Sequence, residues 1–208
     1  MVIVSSFKLN HNKSSGIFTI TAEEVICCPF CNDELVYRDS RLRKLINLFG
    51  EIKCFFLRRL RCVGCNSLHT ELPDIIQPYK HYDSDTIQSV LDGNPNVSAC
   101  AADSSTIHRW KTEFTEAEPD INQRLASVYT RMNDEKVPIA ATVHILDRIK
   151  TKTKRWLAFV MKLLINSGYK ICTRFAFCPF PSPDTVRSRS KNETERGKKD
   201  DKTIKDSS

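Results

Sequence analysis

The chain has 208 residues, 40% of them hydrophobic, with nine cysteines and a formal net charge of +7. That is enough apolar mass for one medium domain or two small ones, and it excludes a fibrous or wholly disordered chain. Modest basicity admits nucleic acid or another anionic surface as a partner.

Residues 1–10 lack a charged leader followed by an apolar run, and the longest apolar stretch, residues 156–165, is broken by Lys162 and too short to span a bilayer. The expectation is a soluble, cytoplasmic protein with no membrane partner. In a reducing compartment paired cysteines signify metal more often than disulfide. Val2 and Val4, Phe7 and Leu9, a turn over residues 10–16 and the run Ile17-Phe18-Thr19-Ile20 then predict two short strands.

These strands lead into Cys28-Pro29-Phe30-Cys31, and after thirty intervening residues comes Cys62-Val63-Gly64-Cys65. Two such pairs supply four thiolates, the full shell of a closed tetrahedral zinc site with Zn–S bonds of about 2.3 Å. Cys28, Cys31, Cys62 and Cys65 are therefore the expected ligands of one structural Zn2+. Pro29 fixes one backbone angle and Gly64 admits a left-handed one, which suits each pair to a tight turn. Cys27 falls off the spacing and is expected to be a small buried hydrophobe. A shell closed by four cysteines leaves no position for bound water, so the metal points to structure rather than catalysis.

Between the pairs, residues 34–37 and 53–61 read as strands able to pair antiparallel, with the extra length over a common ribbon forming a long hairpin or a basic loop at residues 38–51. Within residues 38–61, Arg38, Arg41, Arg43, Lys44, Lys53, Arg58, Arg59 and Arg61 face only Asp39 and Glu51, eight cations against two acids. The local excess of +6 is the footprint expected of a surface for a phosphate backbone.

His69 stands close to the second pair and is expected to support a ligand by a hydrogen bond or to pack locally rather than to replace a thiolate. Pro73 and Pro78 mark a linker carrying Tyr79, Lys80, His81 and Tyr82. Asp83 or Ser84 then caps a short helix with Ile87, Val90 and Leu91 on one side, ended by Gly93. After a turn at residues 94–102, Asp103 or Ser104 caps a second helix through Phe114. Its stripe of Ile107, Trp110 and Phe114 leaves Ser105, His108, Arg109 and Thr112 on the opposite face, the residue types that a recognition helix presents to base edges in a major groove.

The first knuckle, the run Arg58-Arg59-Leu60-Arg61-Cys62-x-x-Cys65, the run His69-x-Glu71-Leu72-Pro73 and the Ser104-Ser105-Thr106-Ile107-x-Arg109-Trp110 helix together resemble a family of uncharacterised bacterial proteins. Its members are similar to the zinc-ribbon plus helix-turn-helix front ends of insertion-sequence transposases, and the resemblance covers about residues 1–180. It implies DNA as partner and a regulatory or transposition-accessory role, with no catalytic transposase core recognisable in this chain.

Beyond Pro119 the spacing of Ile121, Leu125, Val128 and Met132 predicts a further helix, Pro138 begins another through Ile149, and residues 156–165 form an apolar helix that is either core or an interface for a second copy or a partner protein. Gly168 stops it. Tyr169, Ile171, Thr173, Phe175 and Phe177 alternate as a strand, Cys100, Cys172 and Cys178 lack matched neighbours and are expected to pack, and residues 182–208 have too few aliphatics to be ordered.

The fold class expected is α+β: a zinc-ribbon domain with short antiparallel strands over 1–78, a helix-turn-helix-like region over 79–118, C-terminal helices and a last strand over 119–181, and a tail over 182–208. No nucleophile elbow, phosphate loop or His-Glu-x-x-His motif is present, so no small-molecule substrate and no enzyme are expected. DNA binding leads. A zinc-stapled protein-interaction module, or a nuclease-like or transposase-like enzyme with an acidic site not visible in sequence, are the alternatives.

Overall fold

The computed structural model describes residues 1–94, 100–133 and 144–169. The expected strand at residues 169–177 beyond Tyr169, Cys172, Cys178, the tail, the helix start at Pro138 and the middle of the 94–102 turn lie outside the described residues. Among those described are six strands, β1 (Val2–Val4), β2 (Phe7–Asn12), β3 (Ile17–Ala22), β4 (Leu35–Ile46), β5 (Ile52–Cys62) and β6 (Leu68–Pro73). They carry four helices as well, α1 (Ser84–Leu91), α2 (Ser104–Asn133), α3 (Ile145–Lys152) and α4 (Trp156–Asn166), so the class is α+β. No helix among the described residues is long and apolar enough to cross a membrane.

The sheet is built on β5. Its partner β4 runs antiparallel along nearly its whole length, while β3 pairs with Cys54–Phe56 and β6 with Arg59–Arg61 along the opposite edge. The extra residues between the two cysteine pairs are thus a long hairpin. Its turn is closed by Asn47, whose Oδ1 accepts the backbone N–H groups of Phe49 (3.0 Å) and Glu51 (2.9 Å), with Gly50 at φ 86°.

Two expectations change here. β4 and β5 are 12 and 11 residues long rather than short, and the sheet is mixed, because β1 with β6 and β3 with β5 pair in parallel. A parallel pair needs a crossover connection. Between β3 and β5 that crossover is the first cysteine knuckle together with β4, a long-range arrangement that local periodicity does not report.

Register assigns the sheet two unlike faces. Phe55, Leu57, Leu45, Ile20, Ile3 and Leu72 lie on one face and form a core with Ile76 and with Ile165 of α4. A second core joins the helices through Trp110, Leu125, Leu146, Trp156, Leu157 and Val160. Both cores meet at α4, whose Trp156, Leu157, Ala158, Val160, Leu164 and Ile165 are buried, each large side chain contributing about 1.5–3 kcal/mol. Of the two options left open for residues 156–165, the structure takes the core.

The helices correct a further expectation. Residues 104–133 form one helix of 30 residues, with Pro119 inside it, instead of two helices broken there. Proline removes one backbone hydrogen bond and crowds the preceding turn. Here it sits on the exposed side, and the stripe Ile107, Trp110, Phe114, Ala117, Ile121, Leu125 and Val128 continues in phase across it, so burial outweighs the lost bond. Met132, expected on that stripe, is exposed. Asn122 of the same helix accepts the Leu146 backbone N–H through Oδ1 at 2.9 Å and so satisfies the first turn of α3, whose own N-terminal residue His144 makes no capping bond. Asp83 caps α1 as expected, accepting the Thr86 N–H at 2.6 Å.

The linker of residues 74–83 is docked rather than free. Ile76 is buried, Tyr82 bridges to Ile46 and packs edge-on against Trp110, and the Arg43 guanidinium donates to the Lys80 carbonyl.

Candidate functional site

The Sγ atoms of Cys28, Cys31, Cys62 and Cys65 all lie within 4.8 Å of one another. Cys31 to Cys62 is 3.3 Å and Cys28 to Cys65 is 3.6 Å. These separations are far beyond a disulfide bond and close to the roughly 3.8 Å edge of a tetrahedron with 2.3 Å bonds. The four thiols can hold one metal ion, and an all-sulfur tetrahedral set suits zinc.

Each knuckle is a Cys-x-x-Cys-Asn turn. Asn32 donates its backbone N–H to the Cys28 carbonyl (2.8 Å), and Asn66 does the same to Cys62 (3.1 Å). Both asparagines adopt a left-handed conformation, φ 62° and φ 59°, which asparagine tolerates better than most residues. The left-handed role expected of Gly64 therefore belongs to Asn66. Gly64 is needed for a different reason, since a Cβ there would lie 2.3 Å from the Asp33 carboxylate. The repeated asparagine after each pair was a signal available in the sequence. Cys27, expected to be buried, is exposed while Cys28 beside it is buried, because the turn faces only one of the two adjacent side chains inward.

Four thiols this close share negative charge poorly. The Asp33 N–H pulls the Cys31 thiol down, but the thiol of Cys62, desolvation and the other two thiols push it up to about 12. Burial raises Cys65, yet the Ser67 hydroxyl and N–H and the thiols of Cys62 and Cys28 bring it down to about 6. A bound divalent cation is what allows all four to ionise together, so loading releases protons.

His69 is buried and supports this shell. Its Nδ1 faces the Met1 amine at 3.3 Å and its Nε2 faces Cys28 Sγ at 3.4 Å. Burial and the charge of that amine lower its pKa, so the ring is neutral, with Nδ1 accepting and Nε2–H donating to the sulfur. His69→Ala is expected to retain metal with roughly 10- to 100-fold weaker affinity, measured by competition with a chromogenic chelator. Loss as complete as in a cysteine variant would make His69 a ligand.

The hairpin cations divide into two groups. Arg58 donates from Nε and Nη2 to both carboxylate oxygens of buried Glu71, at 2.7 Å each. Arg59 grips both oxygens of Asp39, which Arg38 also approaches at 3.7 Å. Arg43 is half-buried against the linker. Arg41, Lys44, Lys53 and Arg61 are exposed and have no acidic partner among the described residues. On α2, Ser105, His108, Arg109 and Thr112 are all exposed on one face while Trp110 is buried. Arg109 Nε lies 4.0 Å from Glu113, and Ser105 donates to the capping Asp103 at 2.6 Å.

Residues 28–110 match the family described as "Domain of unknown function (DUF6431)". The match takes in both cysteine knuckles, the whole hairpin, α1 and the first two turns of α2. No curated protein and no solved structure shows significant similarity to the chain.

Proposed function

We propose that this protein is a zinc-stabilised DNA-binding protein, a regulator or a transposition accessory rather than an enzyme. One observation carries the reading: four exposed cations without acidic partners, Arg41, Lys44, Lys53 and Arg61, stand on a hairpin whose two strands abut the four-cysteine cluster. A hairpin held at its base by a metal keeps those charges in a fixed spacing, which lowers the entropy lost on contact with phosphates. Arg58, Arg59 and Arg43 then hold the hairpin in shape more than they touch the ligand. The exposed Ser105, His108, Arg109 and Thr112 face of α2 is the reader of base edges.

The protein-interaction alternative leaned on an exposed apolar helix at residues 156–165, and burial of that helix in the core removes its main support.

Fluorescence anisotropy with duplex DNA at two salt concentrations tests the reading. Affinity should fall steeply with salt, and Arg41→Ala or Arg61→Ala should flatten the logarithmic dependence by roughly 0.9 for each lost phosphate contact. Arg109→Ala should cost about 1–3 kcal/mol on a selected site and relax its preference over a scrambled one. Absence of salt-dependent binding by the parent protein overturns the DNA reading, and equal losses on both sequences for Arg109→Ala reduce α2 to a scaffold.

A further inference from the structure

The four-cysteine shell has an inner and an outer half. Each knuckle contributes one buried thiol, Cys28 or Cys62, and one exposed thiol, Cys31 or Cys65. The buried sulfurs are shielded. Cys28 Sγ faces His69 Nε2 at 3.4 Å and accepts the backbone N–H groups of Phe30 and Cys31, while Cys62 Sγ accepts the Cys65 N–H at 3.5 Å. The exposed pair meets solvent directly. Oxidation of a cysteine needs thiolate character and access together. Ligation to a divalent metal makes all four sulfurs thiolates, so access is what separates them.

The partners for a disulfide lie across the knuckles. Cys31 Sγ is 3.3 Å from Cys62 Sγ, and Cys65 Sγ is 3.6 Å from Cys28 Sγ. Each exposed thiol therefore has a buried thiol of the other knuckle beside it, within about 1.6 Å of the roughly 2.05 Å bonding distance. Among the described residues Cys27, Cys54 and Cys100 also carry free thiols, and none of them belongs to the four-sulfur cluster.

We propose that Cys31 and Cys65 are oxidation sites for hydrogen peroxide, and that each closes on the thiol beside it, Cys62 or Cys28, to form a disulfide across the knuckles with loss of the metal. The exposed thiolate attacks one peroxide oxygen and becomes a sulfenic acid, and the other oxygen leaves as hydroxide. The neighbouring thiolate then attacks that sulfur and expels a second hydroxide. One peroxide takes two electrons from two thiolates, and the shell loses two of its ligands. The proposal rests on the zinc part of the reading above and is independent of DNA binding.

The test uses the full-length, zinc-loaded protein at neutral pH. Hydrogen peroxide is added in slight excess over the cluster in the presence of a chromogenic chelator, and the product is alkylated and digested with trypsin. Cleavage after Lys13, Arg38, Arg61 and Lys80 places Cys28 and Cys31 on one peptide and Cys62 and Cys65 on another. Disulfides across the knuckles join the two peptides into one mass, whereas disulfides within a knuckle leave them separate. Zinc should be released, about one ion per chain, as thiols disappear. The joined peptides should dominate, with Cys31 bonded to Cys62 and Cys65 to Cys28 in their fragment ions. Dithiothreitol with added zinc should restore the starting protein. Cys27→Ser removes the exposed thiol outside the shell and should release zinc within about threefold of the parent rate.

Retention of zinc with all four thiols open to alkylation overturns the proposal and leaves the zinc reading in place. Disulfides confined within each knuckle do the same, as does oxidation that dithiothreitol fails to reverse, the mark of a sulfinic acid in place of a disulfide. Slowing by Cys27→Ser of more than about threefold makes Cys27 the point of attack and also overturns the assignment. A parent protein that holds no zinc after purification under reducing conditions, and takes up none on reloading, overturns the proposal and the zinc reading together.

Discussion

Cys62→Ser is expected to abolish metal binding and to unfold the sheet around β5. Cys62 is the last residue of that strand and is buried, with its thiol 3.3 Å from Cys31 Sγ. Serine offers a hard, rarely ionised oxygen in place of a thiolate and breaks the four-sulfur shell. Apparent binding free energies of structural zinc, about 10–16 kcal/mol, are as large as the whole stability of an ordinary domain, about 5–15 kcal/mol. The loss spreads because β5 pairs with β3, β4 and β6 and carries Phe55 and Leu57 into the core. Elemental analysis of the purified parent should return about one zinc per chain, and the variant none, with loss of strand signal in circular dichroism. A Cys62→Ser protein that keeps its metal and its melting transition would remove the four-thiolate assignment.

Arg58→Ala is expected to destabilise the fold by about 2–4 kcal/mol, a larger effect than any single phosphate contact supplies. Glu71 is 5% exposed and receives both of its strong hydrogen bonds from Arg58. Removing the guanidinium strands a buried carboxylate, whose cost in a fully buried pair is about 3–5 kcal/mol. Arg58 keeps about a third of its side chain in solvent, so water reaches the site and the figure is discounted accordingly. Urea denaturation measures it. The double variant Arg58→Met with Glu71→Leu should recover most of the loss, since apolar replacement of both partners leaves no charge unpaired. A single-variant loss below about 0.5 kcal/mol, the scale of an ordinary exposed pair, would show that the pair is not structural.

Such a result distinguishes hairpin cations that are equivalent in the sequence. Eight cations look alike in a string of letters, and all of them are equally plausible phosphate contacts there. Only the register of β5 against β4 and β6 separates them, because it sets Arg58 beside Glu71 and Arg59 opposite Asp39 while leaving Arg61 opposite Val36 and Arg41 opposite Leu57. Glu71 is thirteen residues from Arg58 and Asp39 twenty from Arg59, distances at which no local pattern operates.

By itself the sequence determined the four cysteines, the hairpin between them, the cap of α1 and the apolar stripes of the helices. Each of these depends on neighbours within a turn or a few residues, through ligand spacing, φ preference or a 3.6-residue period. The tertiary structure decided the parallel pairings, the passage of α2 through Pro119, the inward turn of Cys28 and outward turn of Cys27, and the division of the cations into paired and free. Those outcomes depend on which surfaces meet. Burial of a continuous stripe against α1, α3 and α4 outweighs one proline, and a carboxylate brought in by a distant strand neutralises an arginine that its own neighbours would have left open.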